Sequence, residues 1–402
     1  MDKNKINLIE KAINDFKNGS MLIVVDDENR ENEGDFIISA QKARPEDINF
    51  MMKHGRGLIC TSITNHKAKQ LNLSPMVENN TEHQKTNFTV SVDAKNDIST
   101  GISAKDRWQT LQVMIGDKSA PDDLVRPGHM FPLIAKDGGV LQRAGHTEAC
   151  VDLAKLANHV PMGLLVEIVD EDGTMARMNK LKEIAENFQL TIISIADLIE
   201  YRRKKEKLVE EIVDIPLPTK FGEFKMKLFE DKIHGDHHIA LIKGEVNSKK
   251  EPLVRVHSQC LTGDLLASLR CDCGPQLVSA LEKISKCDSG VLVYLRQEGR
   301  GIGLKNKILA YQLQDQGLDT VEANHKLGFS SDLREYGIGA QILKECGVKK
   351  MKLLTNNPKK IIGLEGYDLL ITGRESIEIK SNSANEKYLK TKRDKLGYFL
   401  SE

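Results

Sequence analysis

Three cysteines, Cys260, Cys271 and Cys273, fall within fourteen residues in CLTGDLLASLRCDC, and they constrain the fold around them more than any other feature of the chain. The seven cysteines are odd in number and three of them cluster, a pattern that favours metal binding over a disulfide framework. Thiolates at this density select zinc where thiols stay reduced. The Cys-x-Cys pair is expected on an extended segment, with a helix over TGDLLASLR returning Cys260 to it. No second Cys or His pair follows at ribbon distance, so the spacing is not that of a zinc finger. Three protein ligands leave a fourth position open to water, which is the catalytic arrangement. The alternative is a closed structural site with His257 as fourth ligand. His257 shares a strand face with Arg255 in VRVHSQ, a face suited to an anion, so both are read as substrate contacts. Cys60, Cys150, Cys287 and Cys346 are scattered and read as core residues, Cys60 with a role near a substrate left open.

A chain of 402 residues exceeds one ordinary core and implies two domains, or three. Lys+Arg and Asp+Glu both number 58, a balance that argues against nucleic acid or a membrane surface as partner. No apolar run approaches a membrane span, and MDKNKINLIE lacks the apolar core of a signal peptide, so a cytoplasmic location is expected. The charge run YRRKKEKLVEE followed by Pro216 and Pro218 marks the boundary, giving domains 1–203 and 204–402.

Ile6, Ile9, Ile13 and Phe16 recur at helical spacing, and Gly19 ends that helix. MLIVVDD reads as a buried strand ending at Asp26, and DFIISA as a second strand. Between them, DENRENEG crowds four acids into one turn, which calls for a cation or many donors. Further on, TIISI reads as a strand and a helix is expected to start at Asp197 as N-cap. FKMKLF, HIALIKGEV, EPLVRVH and GVLVYLR read as strands, and LKNKILAYQLQDQG as a helix ended by Gly317. Strands and helices in separate runs predict an α+β fold of two domains, each a mixed or antiparallel β core with packed helices.

RQEGRGIG lies between a strand and a helix, where Gly299, Gly301 and Gly303 free the backbone to approach a phosphate and Arg300 adds charge. LLTNNPKK, with Thr355, Lys359 and Lys360, reads as a solvated turn or a second phosphate clamp. In SSDLREYG, Asp332 and Arg334 stand two apart. In the first half, Glu28, Glu31, Glu33 and Asp35, with Arg30 among them, precede His129, Arg143, His146, Thr147, Glu148 and Glu167. Oxygen ligands with one imidazole suit Mg2+ or Mn2+, and Arg30 and Arg143 are placed to hold a phosphate.

From about Ile215 to Leu400, the series RVHSQCLTGD, LRCDCG, RQEGRGIGL, DTVEANHKLGF and LLTNNPKK resembles the GTP cyclohydrolase II family. The resemblance implies zinc on Cys260, Cys271 and Cys273, whose activated water attacks the guanine C8 before ring opening releases formate. It implies GTP contacts at Arg255, Val256, His257, Ser258, Gln259, Gln276, Glu298, Gly299, Arg300, Thr320, Thr355 and Lys360, with Tyr311 near the base. Asp332 is implied as proton acceptor and Arg334 as nucleophile in pyrophosphate release. A guanidinium stays protonated, so stabilising charge on the phosphoryl group is the chemically easier role for Arg334. Departure of pyrophosphate also calls for Mg2+.

From about Ile6 to Tyr201, DDENRENEGD, HGRGLIC, STGISAKDR, RPGHMFPL, RAGHTEA and DGTMAR resemble the 3,4-dihydroxy-2-butanone 4-phosphate synthase family. That family converts ribulose 5-phosphate to the four-carbon ketone phosphate and formate. The resemblance implies metal ligands at Glu31 and His146. It implies substrate contacts at Arg30, Glu31, Asp35, Arg143, Ala144, Gly145, His146, Thr147 and Glu167, and catalytic roles for His129 and Glu167. The whole chain therefore resembles the fused bifunctional enzymes of riboflavin synthesis, with both halves active and a homodimer as the assembly. Two alternatives stand beside it: one half serving only as a structural platform, or a zinc-stapled nucleotide sensor without turnover.

Overall fold

The computed structural model describes residues 3–28, 30–247, 250–330, 332, 334 and 336–400. It forms two compact units, Met1–Glu206 and Lys207–Glu402. Each is built on a mixed seven-stranded sheet with packed helices, an α+β architecture.

In the first unit the strand order is Val92–Ala94, Leu124–Ile134, Cys60–Ile63, Gly163–Glu167, Gly34–Ser39, Leu22–Val25 and Thr191–Ser194. Leu22–Val25 runs parallel to Thr191–Ser194 and antiparallel to Gly34–Ser39. Both faces of this sheet are covered. Ile23, Val25, Phe36 and Ile38 enter one apolar cluster, while Leu22, Val24 and Ile37 enter another. Two-sided burial explains why MLIVV is apolar at every position rather than alternating. The helix Lys3–Lys17 buries Ile9, Ala12 and Phe16, and the chain turns at Gly19 with φ +92°. The helix expected from Asp197 begins instead at Ile195. Its N-cap is Ser194, whose Oγ accepts the Asp197 amide and donates to the Asp197 carboxylate. Asp197 is the third residue of that helix, reaching back to the cap.

In the second unit the order is Leu370–Glu375, Lys350–Leu354, Leu253–Ser258, Gly290–Leu295, His237–Lys243, Gly222–Asp231 and Val209–Thr219. The first four strands are mutually parallel and the last three antiparallel. Pro216 and Pro218 lie inside the edge strand Val209–Thr219, both exposed. An edge strand tolerates them because a proline two residues from another leaves the same outer side of the ladder without donors.

Around the cysteines the structure departs from two expectations. TGDLLASLR makes only one π-type turn, Leu261–Leu265, followed by irregular chain. Leu265, Leu266 and Leu269 are 72%, 66% and 66% exposed, so no apolar stripe holds a helix there. The Cys271–Cys273 segment is not extended either. Asp272 has φ −96° and ψ 6°, and Cys273 opens the helix Cys273–Ser285.

Candidate active sites

The acidic turn of the first unit starts where Leu22–Val25 ends. Asp26 closes it, accepting the Glu31 and Glu33 amides at 2.9 Å each and Arg30 Nη1 at 3.0 Å. Arg30 also pairs with Glu31. On the next two strands Asp35 and Glu167 are register partners, so both carboxylates arrive at the same end of the sheet. Against them stands His146, the first residue of the helix His146–Leu156. Its Nε2 lies 3.1 Å from the Val24 carbonyl, which assigns the proton to that nitrogen. Nδ1 is left unprotonated, 4.0 Å from Glu31 and 3.9 Å from Asp35. Burial pushes the imidazole down to about 4, so the ring is neutral.

One ligand atom each from Glu31, Glu33 and His146 lie within 4.8 Å of one another. Burial first, then the neighbouring carboxylates of Glu31, Glu167 and Asp26, push Glu33 up to about 7. The same causes raise Asp35 well above the usual carboxylate range, and its Oδ1 is buried without a partner. A divalent cation fits this donor set: oxygens plus one neutral imidazole, crowded and short of positive charge. Arg143 faces the same cavity, held by Glu148 at 2.6 Å and Thr86 at 2.9 Å. Gly145 caps the helix start, where a Cβ would meet Arg143 at 2.4 Å and Glu148 at 2.8 Å.

In the second unit the sulfurs of Cys260, Cys271 and Cys273 also lie within 4.8 Å of one another, and among the described residues no other ligand joins them. Gly263 lies against them. A Cβ there would meet Cys271 Sγ at 2.9 Å and Cys260 Sγ at 3.1 Å. Lys307 Nζ approaches Cys260 Sγ at 3.1 Å and donates to Glu298 at 2.7 Å. Glu298 in turn accepts the Leu261 amide at 2.7 Å, tying the glycine-rich loop to the cysteine turn. Hydrogen bonds from the other two thiols, reinforced by Lys307, hold Cys260 as thiolate; donating to that thiolate pushes the Cys271 thiol up to about 11. Three soft donors, one already a thiolate, around a backbone without a side chain fit a zinc ion. His257 turns Nε2 to Asp264 at 3.1 and 3.2 Å and stacks on Tyr294, rather than joining the sulfurs.

The cavity beside the sulfurs is strongly basic. Arg255, Arg300, Arg334 and Lys360 line it together with Gln276, Tyr311, Thr320 and Thr355. In the loop 298–301, Gly299 and Arg300 both have φ +63°. Arg334 makes a two-point contact with Asp332, at 2.8 and 2.6 Å. Burial opposes its charge, but Tyr398, Tyr336 and Asp332 together keep the guanidinium firmly protonated.

A family model for 3,4-dihydroxy-2-butanone 4-phosphate synthase matches residues 10–201, and one for GTP cyclohydrolase II matches residues 210–376. The riboflavin biosynthesis protein RibBA of Bacillus subtilis (strain 168) is 57% identical over 393 residues, covering 98% of each chain. That of Chlorobium phaeovibrioides is 55% identical over 402 residues, 100% of this chain and 98% of the relative. The chain belongs to the RibBA family of riboflavin biosynthesis proteins. As a RibBA protein it is a bifunctional, metal-dependent enzyme of riboflavin precursor synthesis that acts on small molecules. Among solved structures, RibBX of A. baumannii, a two-domain 3,4-dihydroxy-2-butanone 4-phosphate synthase, matches with TM-score 0.68 and 38% identity. The match covers 92% of this chain and 99% of that one. Among the described residues, no helix is long and apolar enough to cross a membrane.

The fold gathers most of the residues singled out in the sequence. Arg30, Glu31, Asp35, Arg143, His146, Thr147 and Glu167 line one cavity, and Cys60 lines it with them. Ala144 and Gly145 form the turn before His146. His129 lies outside that lining, with Nδ1 2.7 Å from Asp93 and a side chain 43% exposed. Of the GTP contacts, only Val256 is absent from the second cavity. Its side chain is buried in the core, while its carbonyl accepts Lys360 at 2.6 Å. Asp332 reaches that cavity only through Arg334. Glu33 was visible as one acid among several, and nothing in its spacing separated it from Glu28. Lys307 is one lysine of a helix, and its contact with Cys260 is set by tertiary packing alone.

The carboxylate crowding gives a direct expectation. Glu33→Gln removes like-charge repulsion and should stabilise the metal-free first unit by about 1 kcal/mol, while cutting the Tm increment from saturating Mn2+ or Mg2+. Thermal unfolding with and without metal reads both effects. A less stable metal-free variant with an unchanged increment contradicts the assignment of Glu33 to the cation site.

Proposed function

We propose that the two cavities are independent active sites, residues 1–203 making 3,4-dihydroxy-2-butanone 4-phosphate and formate from ribulose 5-phosphate, and residues 204–402 hydrolysing GTP. The GTP reaction yields 2,5-diamino-6-(5-phospho-ribosylamino)pyrimidin-4(3H)-one, formate and pyrophosphate. The observation that carries this reading is the pairing of each metal-type donor cluster with cationic side chains in one cavity. Cytoplasmic residence fits it, because the clustered thiols of Cys260, Cys271 and Cys273 stay available to a metal where thiols remain reduced.

In the first site, Glu31 and His146, with Glu33 beside them, would hold Mg2+ or Mn2+, which would offset the negative charge that enolisation develops on the sugar oxygens. Arg30 and Arg143 hold the phosphate, and Ala144 through Thr147 shape the turn around it. Glu167, fixed by the Leu58 amide at 2.8 Å, and Asp35 move protons. Buried and raised, Asp35 is suited to take a proton and keep it.

In the second site, Cys260, Cys271 and Cys273 would hold a zinc ion, which would supply Lewis-acid activation of water at neutral pH. Tyr311, bonded to Thr262 at 3.2 Å, stands beside the sulfurs and takes the base. Arg255, His257 through Gln259, Gln276, Glu298 through Arg300, Thr320, Thr355 and Lys360 bind the nucleotide, while Val256 contributes only the carbonyl that holds Lys360. Burial and the charges of Arg255, Arg334 and Lys392 push the Lys360 ammonium well below its ordinary range. The negative charge of a triphosphate relieves that cationic crowding, and Mg2+ would share the charge of the departing pyrophosphate. Arg334, locked to the proton acceptor Asp332, stabilises the departing pyrophosphate by charge rather than by attack.

His129 is catalytic by resemblance yet stands outside its own chain's cavity. A homodimer in which a second copy supplies His129 reconciles the two.

Two variants test the independence of the sites. Cys273→Ser should abolish formate release from GTP and spare ribulose 5-phosphate turnover, and Glu31→Ala should do the reverse. Loss of both activities in one folded variant refutes independence. Co-expressed Glu31→Ala and His129→Ala chains should recover about a quarter of the ribulose 5-phosphate activity, since half the dimers carry one intact site. A mixed sample as inactive as its parents rules out the shared arrangement.

A further inference from the structure

The match to the GTP cyclohydrolase II family ends at residue 376, but the chain beyond it does not leave the site. The helix Glu386–Asp394 carries Tyr388 and Lys392 four residues apart on one face, and both line the cavity beside the cysteines, as does Tyr398. Lys392 is buried and donates to both carboxylate oxygens of Asp272 at 3.0 Å. Asp272 is the residue between two of the sulfur ligands. The same ammonium lies 5.3 Å from the Tyr388 ring centroid and 4.8 Å from that of Tyr398. The Tyr398 amide then donates to the Lys392 carbonyl, and the Phe399 amide to the Asn356 carbonyl at 2.8 Å. The segment is thus fastened at both ends, to the cysteine loop and to the LLTNNPKK turn.

This fastening decides what the Tyr398 hydroxyl can do. Its oxygen accepts from Arg334 Nη2 at 3.1 Å and from Asn357 Nδ2 at 3.0 Å. A phenol oxygen has two acceptor positions and one hydrogen. Both acceptor positions are taken by protein donors, so the hydroxyl meets anything further as a donor. Burial works to raise its pKa, yet Arg334, Lys392 and Arg300 outweigh burial and lower it, which makes its O–H a stronger donor. Arg334 gains a second fixed partner beside Asp332, so its guanidinium is held from two residues rather than one.

We propose that Tyr398 is a further functional residue of the GTP reaction, holding Arg334 in place and donating its hydroxyl hydrogen to a phosphate oxygen of the nucleotide. The inference rests on the reading of this cavity as the GTP site. The chemistry asked of Tyr398 is that of an oriented donor at a position where negative charge grows as pyrophosphate departs. An interaction of that kind acts on turnover more than on binding, since the cationic residues bind the ground state without it.

The test uses Tyr398→Phe in the full chain, which keeps the ring against Lys392 and deletes only the hydroxyl. Expected are a kcat for GTP at least about tenfold lower, a KM within about twofold, and unchanged ribulose 5-phosphate turnover. Zinc content and Tm are measured on the same sample. Wild-type kcat and KM overturn the proposal, and so does a fall in kcat matched by an equal fraction of lost zinc or unfolded protein. Cys273→Ser is assayed in parallel. If it retains GTP turnover, the reading of the cavity has failed. If it is dead while Tyr398→Phe is unimpaired, the cavity reading stands and the role of Tyr398 does not.

Discussion

Gly263 lies so close to Cys260 and Cys271 that a single added carbon would strike both sulfurs. That contact expresses the constraint on which the second unit is organised: three thiols must converge on one point beside a backbone turn. Glu298 accepts from the turn, from the glycine-rich loop and from Lys307, so one carboxylate fixes the three segments relative to one another. Asp272, held between Cys271 and Cys273, passes the same order to Gln276 and thence to Arg255. The metal loop and the basic cavity are thus one hydrogen-bonded network, and a shift at the sulfurs is felt at the phosphate end.

Both units use the same physical device with opposite chemistry. Each collects like-charged or like-protonated donors at one end of a mixed sheet, where burial makes their mutual repulsion costly. In the first unit the donors are hard carboxylate oxygens with one neutral imidazole; in the second they are soft sulfurs. The donor atoms decide which class of ion each cluster suits, and a bound cation would relieve the repulsion that burial makes costly. The sheets supply rigidity. Asp35 and Glu167 are register partners, so their separation is fixed by the ladder and not by loop conformation.

Much of this was legible in the sequence because it is carried by local pattern. The apolar run before Asp26, the acidic turn and the close cysteines each declare themselves within a few residues. The failures have a common cause. TGDLLASLR reads as a helix, but Leu265, Leu266 and Leu269 stay exposed, and one turn is all that forms. The break between the units falls inside the charge run, at Glu206 and Lys207, while Pro216 and Pro218 belong to an edge strand of the second unit, where a missing donor costs nothing. Lys307, Lys392 and Tyr398 reach the site from helix and tail positions whose spacing says nothing about it. Tertiary contacts of that kind leave no local signature.

The central claim is that the three thiolates leave one position of a tetrahedral zinc ion open to solvent. X-ray absorption on the zinc-loaded, substrate-free protein measures this directly. Expected are three sulfurs at about 2.3 Å and one oxygen at about 2.0 Å around each ion. A fourth sulfur, or an imidazole signature showing His257 in the inner sphere, would contradict it.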